Sequence, residues 1–210
     1  MPSVVQICNQ ALSHVGSEAR VASISPPDGS VEAGHCDTFY DQARTELLEP
    51  GLWRFALKRD PLAQTTNPST TWAYAYALPS DCLRALRVLR VNSTLTVFNQ
   101  DQAIASHDDR DGAPFDIEGD LLYSNEADAV LVYVRDVTDT TRFTPSFSST
   151  LGYLLASYLA GPIVKGNEGV RLGDALRTRA MSLADLAATA SANASSAQET
   201  PTASILAARS

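Results

Sequence analysis

The chain has 210 residues, 44% of them hydrophobic, enough to bury the core of one large domain or two small ones. Charged residues make up 19%, below the average of about 25%, which fits a surface partly covered by neighbours. A net charge of −8 argues against a protein that grips nucleic acid, because phosphate binding needs net positive surface.

Ser3 to Gly16 reads as a first helix, with Ser3 as N-cap, a stripe of Val4, Cys8, Ala11, Leu12 and Val15, and Gly16 just past its end. A loop through Pro26-Pro27-Asp28-Gly29 follows, and Ser30 or Asp28 then caps a second helix reaching Leu48. Phe39, Tyr40, Ala43 and Leu47 give that helix its apolar side. Pro50-Gly51 stops it, and from Trp53 to Lys58 the period changes to two, as in a half-buried strand. A helical layer therefore hands over to a β layer, with a large aromatic at the seam.

Asp60-Pro61 should turn the chain, and Gln64 to Thr71 should be an exposed loop. Trp72, Tyr74, Tyr76 and Leu78 alternate with alanines, which reads as a strand whose aromatics cover a core. A stacking platform for single-stranded nucleic acid would instead want interleaved Lys or Arg. Leu83 to Val91 fits helix or strand, with a turn leading into a strand preferred. Thr94 to Phe98 reads as another strand, Phe115 to Tyr123 as a hairpin through Glu118-Gly119-Asp120, and Val130, Val132 and Val134 as a last strand.

Thr144-Pro145 opens a long helix, Pro162 should kink or end it, and Lys165-Gly166-Asn167 should turn the chain. A fourth helix from Glu168 to about Ser191 carries Leu172, Ala175, Leu176, Leu183, Leu186 and Ala187 as its stripe. The expected class is α+β, a helical bundle from the N- and C-terminal helices with a central antiparallel β domain. The boundaries are 1–52 for the first helices, 53–143 for the β-rich part, 144–191 for the last helices and 192–210 for an extended arm. The arm is too polar to bury a core of its own, yet it ends in the small cluster Ile205, Leu206 and Arg209, as in a peptide that orders on a partner.

The three cysteines, Cys8, Cys36 and Cys82, form no CxxC, and the first two fall on apolar helix faces, so buried thiols are expected. No basic n-region precedes a long apolar run at the N-terminus, and Leu151 to Val164 is shorter than a membrane span. A soluble protein is expected. His107 to Glu118 superficially matches a calcium loop, but its first position is His, its eighth is Pro114, and no amphipathic helix flanks it. A solvated acidic loop is the preferred reading. No nucleophile elbow, phosphate loop, dinucleotide fingerprint or HExxH is present, and nothing selects a carboxylate pair, so neither an enzyme nor a cofactor is expected. Arg84, Arg87 and Arg90 form the most basic run. They could be a solvated edge, touch DNA phosphates, or meet the acidic run Asp108, Asp109, Asp111, Asp116, Glu118 and Asp120 on another copy across a subunit interface.

Several segments, in order, resemble the head-to-tail adaptor family of short-tailed phages, known as tail tubular protein A. They are Asn9-Gln10-Ala11-Leu12 with Gly16, Tyr40-Asp41-Gln42-Ala43-Arg44, and Trp53-Arg54-Phe55-Ala56-Leu57. Further segments are Tyr76-Ala77-Leu78-Pro79-Ser80-Asp81-Cys82-Leu83-Arg84, Ile117-Glu118-Gly119, Leu159-Ala160 with Pro162, and Ile205-Leu206-Ala207-Ala208-Arg209. The resemblance implies helices from both termini packed together around a β middle, in a dodecameric ring beneath the portal. Its C-terminal arm would reach the portal protein, with the tail nozzle protein below and tail fibres at its side. Such a ring, a structural virion component assembled in the host cytoplasm, would extend the DNA channel and help retain the genome without binding DNA specifically. An acidic wall suits a conduit that must not hold DNA. The alternative is a virion-associated peptidoglycan hydrolase, with carboxylates from the acidic loop. The Asp-rich stretch His107 to Gly112 has no place in the family pattern.

Overall fold

The computed structural model describes residues 2–89 and 112–196, with side chains through residue 189. The fold is α+β. Helix α1 spans Val4–His14, α2 Val31–Leu48, α3 Pro145–Val164 and α4 Gly166–Ser196. The strands are β1 Leu57–Pro61, β2 Ala63–Thr65, β3 Tyr74–Ala77, β4 Cys82–Leu89, β5 Gly112–Ala113, β6 Phe115–Glu118, β7 Leu121–Ser124 and β8 Val130–Arg135.

The helix starts follow their capping residues. Ser3 and Gln6 form a reciprocal capping box on α1, Ser30 accepts from the Ala33 amide at the start of α2, and Thr144 with Pro145 opens α3. Helix α3 packs against α1, α2 and α4, so helices from both ends of the chain meet on it. Pro162 does not end α3, which continues to Val164 before the chain reverses through Lys165 and Gly166, both at positive φ. By length and composition this 20-residue helix could cross a membrane, more than the Leu151 to Val164 run suggests. Here it is the buried hub of the helical core, with Leu151, Leu154, Leu155 and Leu159 fully covered.

Two antiparallel four-stranded sheets follow, ordered β1-β8-β4-β5 and β2-β3-β7-β6. Val88, Leu131 and Tyr133 of the first sheet meet Tyr76 and Leu122 of the second, forming a sandwich core. The other face of the first sheet turns Val134 to the helices, with Leu57, Leu83 and Leu86 packed beside it. Strand β8 is therefore buried on both faces and joins the two cores.

Three expectations need correcting. Residues 54–56 form a 3-10 turn, so the strand starts at Leu57 rather than Trp53. Trp53 is instead committed to the helical core: its indole Nε1 donates to the Leu47 carbonyl at 3.0 Å and its ring meets Phe147 edge-on at 5.0 Å. Pro61 ends β1 rather than breaking it, and Ala63–Thr65 forms an edge strand where a loop is expected. Of the expected α4 stripe, Leu172, Leu176 and Ala187 pack on the helical core, but Leu186 is 65% exposed and Ala175 is exposed; Gly169, Gly173, Ala180 and Ala184 complete the close approach. The expected strand Thr94 to Phe98 lies outside the described residues.

Candidate interaction surface

Strand β4 is irregular in a way that decides where its arginines go. Its register against β8 slips between Cys82 and Arg84 and again between Ala85 and Arg87. Each slip inserts one extra residue, so the side-chain period becomes three instead of two. Cys82, Ala85 and Val88 consequently line the sandwich core, while Leu83 and Leu86 reach the helical core. The third residue of each triplet is an arginine. Arg84 pairs with Val134 and Arg87 with Val132, and cross-strand partners share a face.

On the other side of β8, Arg59 of β1 also pairs with Val132. Arg59, Val132 and Arg87 thus form one row across three strands, with Arg84 in the next row. All three arginines are half-buried, while Val132 between them is 2% exposed. The Nε of Arg84 is buried and lacks a hydrogen-bond acceptor among the described residues. A Cβ at Gly112 would stand 3.7 Å from the Arg87 Cβ, so the β5 edge passes close to this row.

Arg84 and Arg87 are thus brought together as the sequence suggests, and Arg59 joins them. Its lone place in Leu57–Pro61 gives no sequence signal; only the β1–β8 register reveals it. Arg90, Asp108, Asp109 and Asp111 lie outside the described residues, as do Ile205, Leu206 and Arg209 of the arm. Asp116, Glu118 and Asp120 are exposed on the β6–β7 hairpin, whose two-residue turn places Gly119 at φ +58°. Asp116 and Glu118 alternate with Phe115 and Ile117, whose partners Ser124 and Leu122 are buried, so the two acids point away from the sandwich core. Gly112–Glu118, the second half of the calcium-like pattern, is extended strand rather than a wrapping loop.

A second polar cluster closes the β1 edge of the sandwich. The Tyr133 hydroxyl donates to Asp81 at 2.7 Å, and Lys58 Nζ lies 2.7 Å from Asp60 and 3.3 Å from Asp81. Burial pushes the Asp81 carboxyl up, but the Tyr133 hydroxyl and the Lys58 ammonium pull harder and hold it below its ordinary value. Burial and the bond to Asp81 push the Tyr133 phenol up to about 12. These groups satisfy one another, which is the mark of a structural clasp rather than of a poised acid and base. Tyr74, Tyr76 and Leu78 take part in the sandwich core, and the Tyr76 hydroxyl donates to the Glu126 carbonyl at 2.6 Å.

The residues that suggest the adaptor family include several anchors. Asn9 both donates to and accepts from the Val21 backbone, at 2.9 and 2.8 Å, and pins the loop after α1. Gln10 lies against Gly152 of α3, where a Cβ would stand 3.2 Å from its side chain. No family model matches the chain, and no curated protein matches it.

Proposed function

We propose that this chain is a structural subunit of a head-to-tail adaptor ring of a short-tailed phage, seated beneath the portal, extending the DNA channel and connecting to the tail nozzle and fibres. The observation that carries the reading is the chain's plan. Helices from residues 4–48 and 145–196 meet on α3, and a β sandwich is inserted between them, the plan the resemblance implies. The acidic net charge favours a wall over which DNA slides, because fixed positive charge would hold the phosphates.

The test mixes the chain with portal rings and images the product by electron microscopy, beside a peptidoglycan-clearing assay. A ring of this chain on the portal without clearing is the expected result. Clearing without portal binding supports the hydrolase alternative instead. Deleting residues 201–210 is expected to leave the fold intact and lower portal occupancy; unchanged occupancy overturns the role of the arm.

A further inference from the structure

We infer that the second sheet continues from one copy of the chain into the next, the free edge of β6 pairing with the free edge of β2 of a neighbour. The inference rests on the adaptor-ring reading and names the strands that would join its subunits. The order β2-β3-β7-β6 puts β2 and β6 at opposite ends of the sheet, and no described strand lies beyond either. All three pairings are antiparallel, so the two edge strands of this four-stranded sheet also run in opposite directions. A neighbour set beside β6 in the same orientation therefore presents its β2 antiparallel to it, as the ladder requires.

The phase of the ladder matches as well. Gln64, Tyr76, Leu122 and Ile117 form one row across the four strands. The Leu78 amide donates to the Asp120 carbonyl at 3.0 Å, so two residues along the same ladder Tyr76 and Leu122 bond each other. Alternation then turns the amide and carbonyl of Gln64 and of Ile117 outward, one residue at each edge. The Ile117 amide accordingly donates to the carboxylate of Asp116, its own neighbour in the strand, at 2.8 Å. Set in register, Ile117 of one copy faces Gln64 of the next as a hydrogen-bonded pair, each supplying a donor and an acceptor. Asp116 must release the amide for this, and until then it guards the edge of a free chain. Ile117 also lies on the core side of β6 yet is 39% exposed, with no strand beyond it, and a neighbouring β2 would cover it. Pairing of β6 with β6 would set Asp116 and Glu118 of two copies against each other, whereas β2, Ala63–Thr65, carries no charge. Contact between two different edges repeats at every step and closes into a ring or grows into a filament.

The experiment measures association of full-length chains by sedimentation and mass photometry, with thermal melts to confirm that each is folded. Ile117→Pro and Gln64→Pro each delete one outward amide and leave the internal ladder its donors, while Ile117→Val and Gln64→Thr keep the amides and change only side chains. Wild type is expected to associate, the valine and threonine variants to match it, and each proline variant alone to associate at least ~10-fold more weakly. Mixing the two proline variants is expected to give heterodimers and nothing larger, because one still offers an intact β2 and the other an intact β6. Asp116→Ala, which uncovers the edge amide without a proline, is expected to tighten association. A proline variant that associates like wild type, a mixture no better than its parts, an Asp116→Ala chain that associates less than wild type, or a wild type monomeric throughout each overturns this pairing. Portal binding by the same chains is scored separately, so a failed pairing is distinguishable from a failed adaptor reading.

Discussion

Arg44 of α2, 4% exposed, is ion-paired with Asp136 just beyond β8 and also donates to the Val137 carbonyl at 3.1 Å. This clasp ties the helical layer to the central strand of the first sheet. Its third partner, Asp41, lies one turn earlier on α2 and is 78% exposed, so it cannot replace Asp136. Asp136→Ala leaves the guanidinium buried with its main counter-charge gone, and should cost about 3 kcal/mol. Arg44→Met, which removes the charge and keeps much of the volume, should cost clearly less. Urea unfolding of both variants checks the order; an Asp136→Ala chain as stable as wild type would remove the clasp from the account.

Gly169 and Gly173 let α4 lie directly on α3. A Cβ at Gly169 would stand 2.8 Å from the Ala160 carbonyl oxygen, and one at Gly173 3.0 Å from the Ser157 carbonyl oxygen. Both obstacles are backbone, which cannot swing aside. Gly169→Ala should destabilise by about 1–3 kcal/mol despite alanine's better helix propensity. Gly34, in α2, has nothing within 4 Å of its hypothetical Cβ, so Gly34→Ala should stabilise by about 0.5–1 kcal/mol. Opposite signs for the two glycine replacements, read from denaturant midpoints, are the expected outcome.

What sequence patterns made legible, and what they hid, follows from side-chain size and from bulges. The cap at Ser3, the cap at Thr144 and the turn at Gly119 rest on local chemistry, and each stands where the sequence puts it. On α4 the period finds Leu172, Leu176 and Ala187 but not the rest of the contact, because that part depends on residues with almost no side chain, while Leu186, the natural apolar choice, faces outward. Leu83 to Val91 fits helix or strand by pattern because two bulges give β4 a spacing of three, between the strand and helix periods. Arg84 and Arg87 could be singled out as a basic run, but Arg59 belongs with them only through pairing 73 residues down the chain, at Val132. No linear pattern encodes that register.

Trp53 closes the C-terminal end of α2, and Gly51 makes room for it. A Cβ at Gly51 would lie 2.2 Å from the indole Nε1, so Gly51→Ala must displace the ring. The displaced indole loses both its bond to the Leu47 carbonyl and its edge contact with Phe147, at a cost of about 1–3 kcal/mol. Trp53→Phe keeps an aromatic there and abandons only the donor, costing about 1 kcal/mol plus the lost ring area. The indole proton resonance should report the displacement in Gly51→Ala, and an unshifted resonance with unchanged stability would contradict it.

His14, at the end of α1, stacks on Tyr153 of α3 with ring centroids 4.0 Å apart, and its Nε2 is buried without a hydrogen-bond partner among the described residues. Burial holds its pKa below the ordinary value of about 6.5. The unfolded chain therefore takes up the proton at higher pH than the folded one. Stability from this group is complete above about pH 6.5 and declines as the pH falls toward the folded pKa, where the loss levels off. His14→Phe preserves the stack and cannot titrate, so it should flatten that part of the curve. The check is the difference in urea midpoint between pH 7.5 and 5.5 for wild type and variant, which cancels the carboxylates common to both. An equal difference in the two chains would show that the imidazole stays as easily protonated in the fold as out of it.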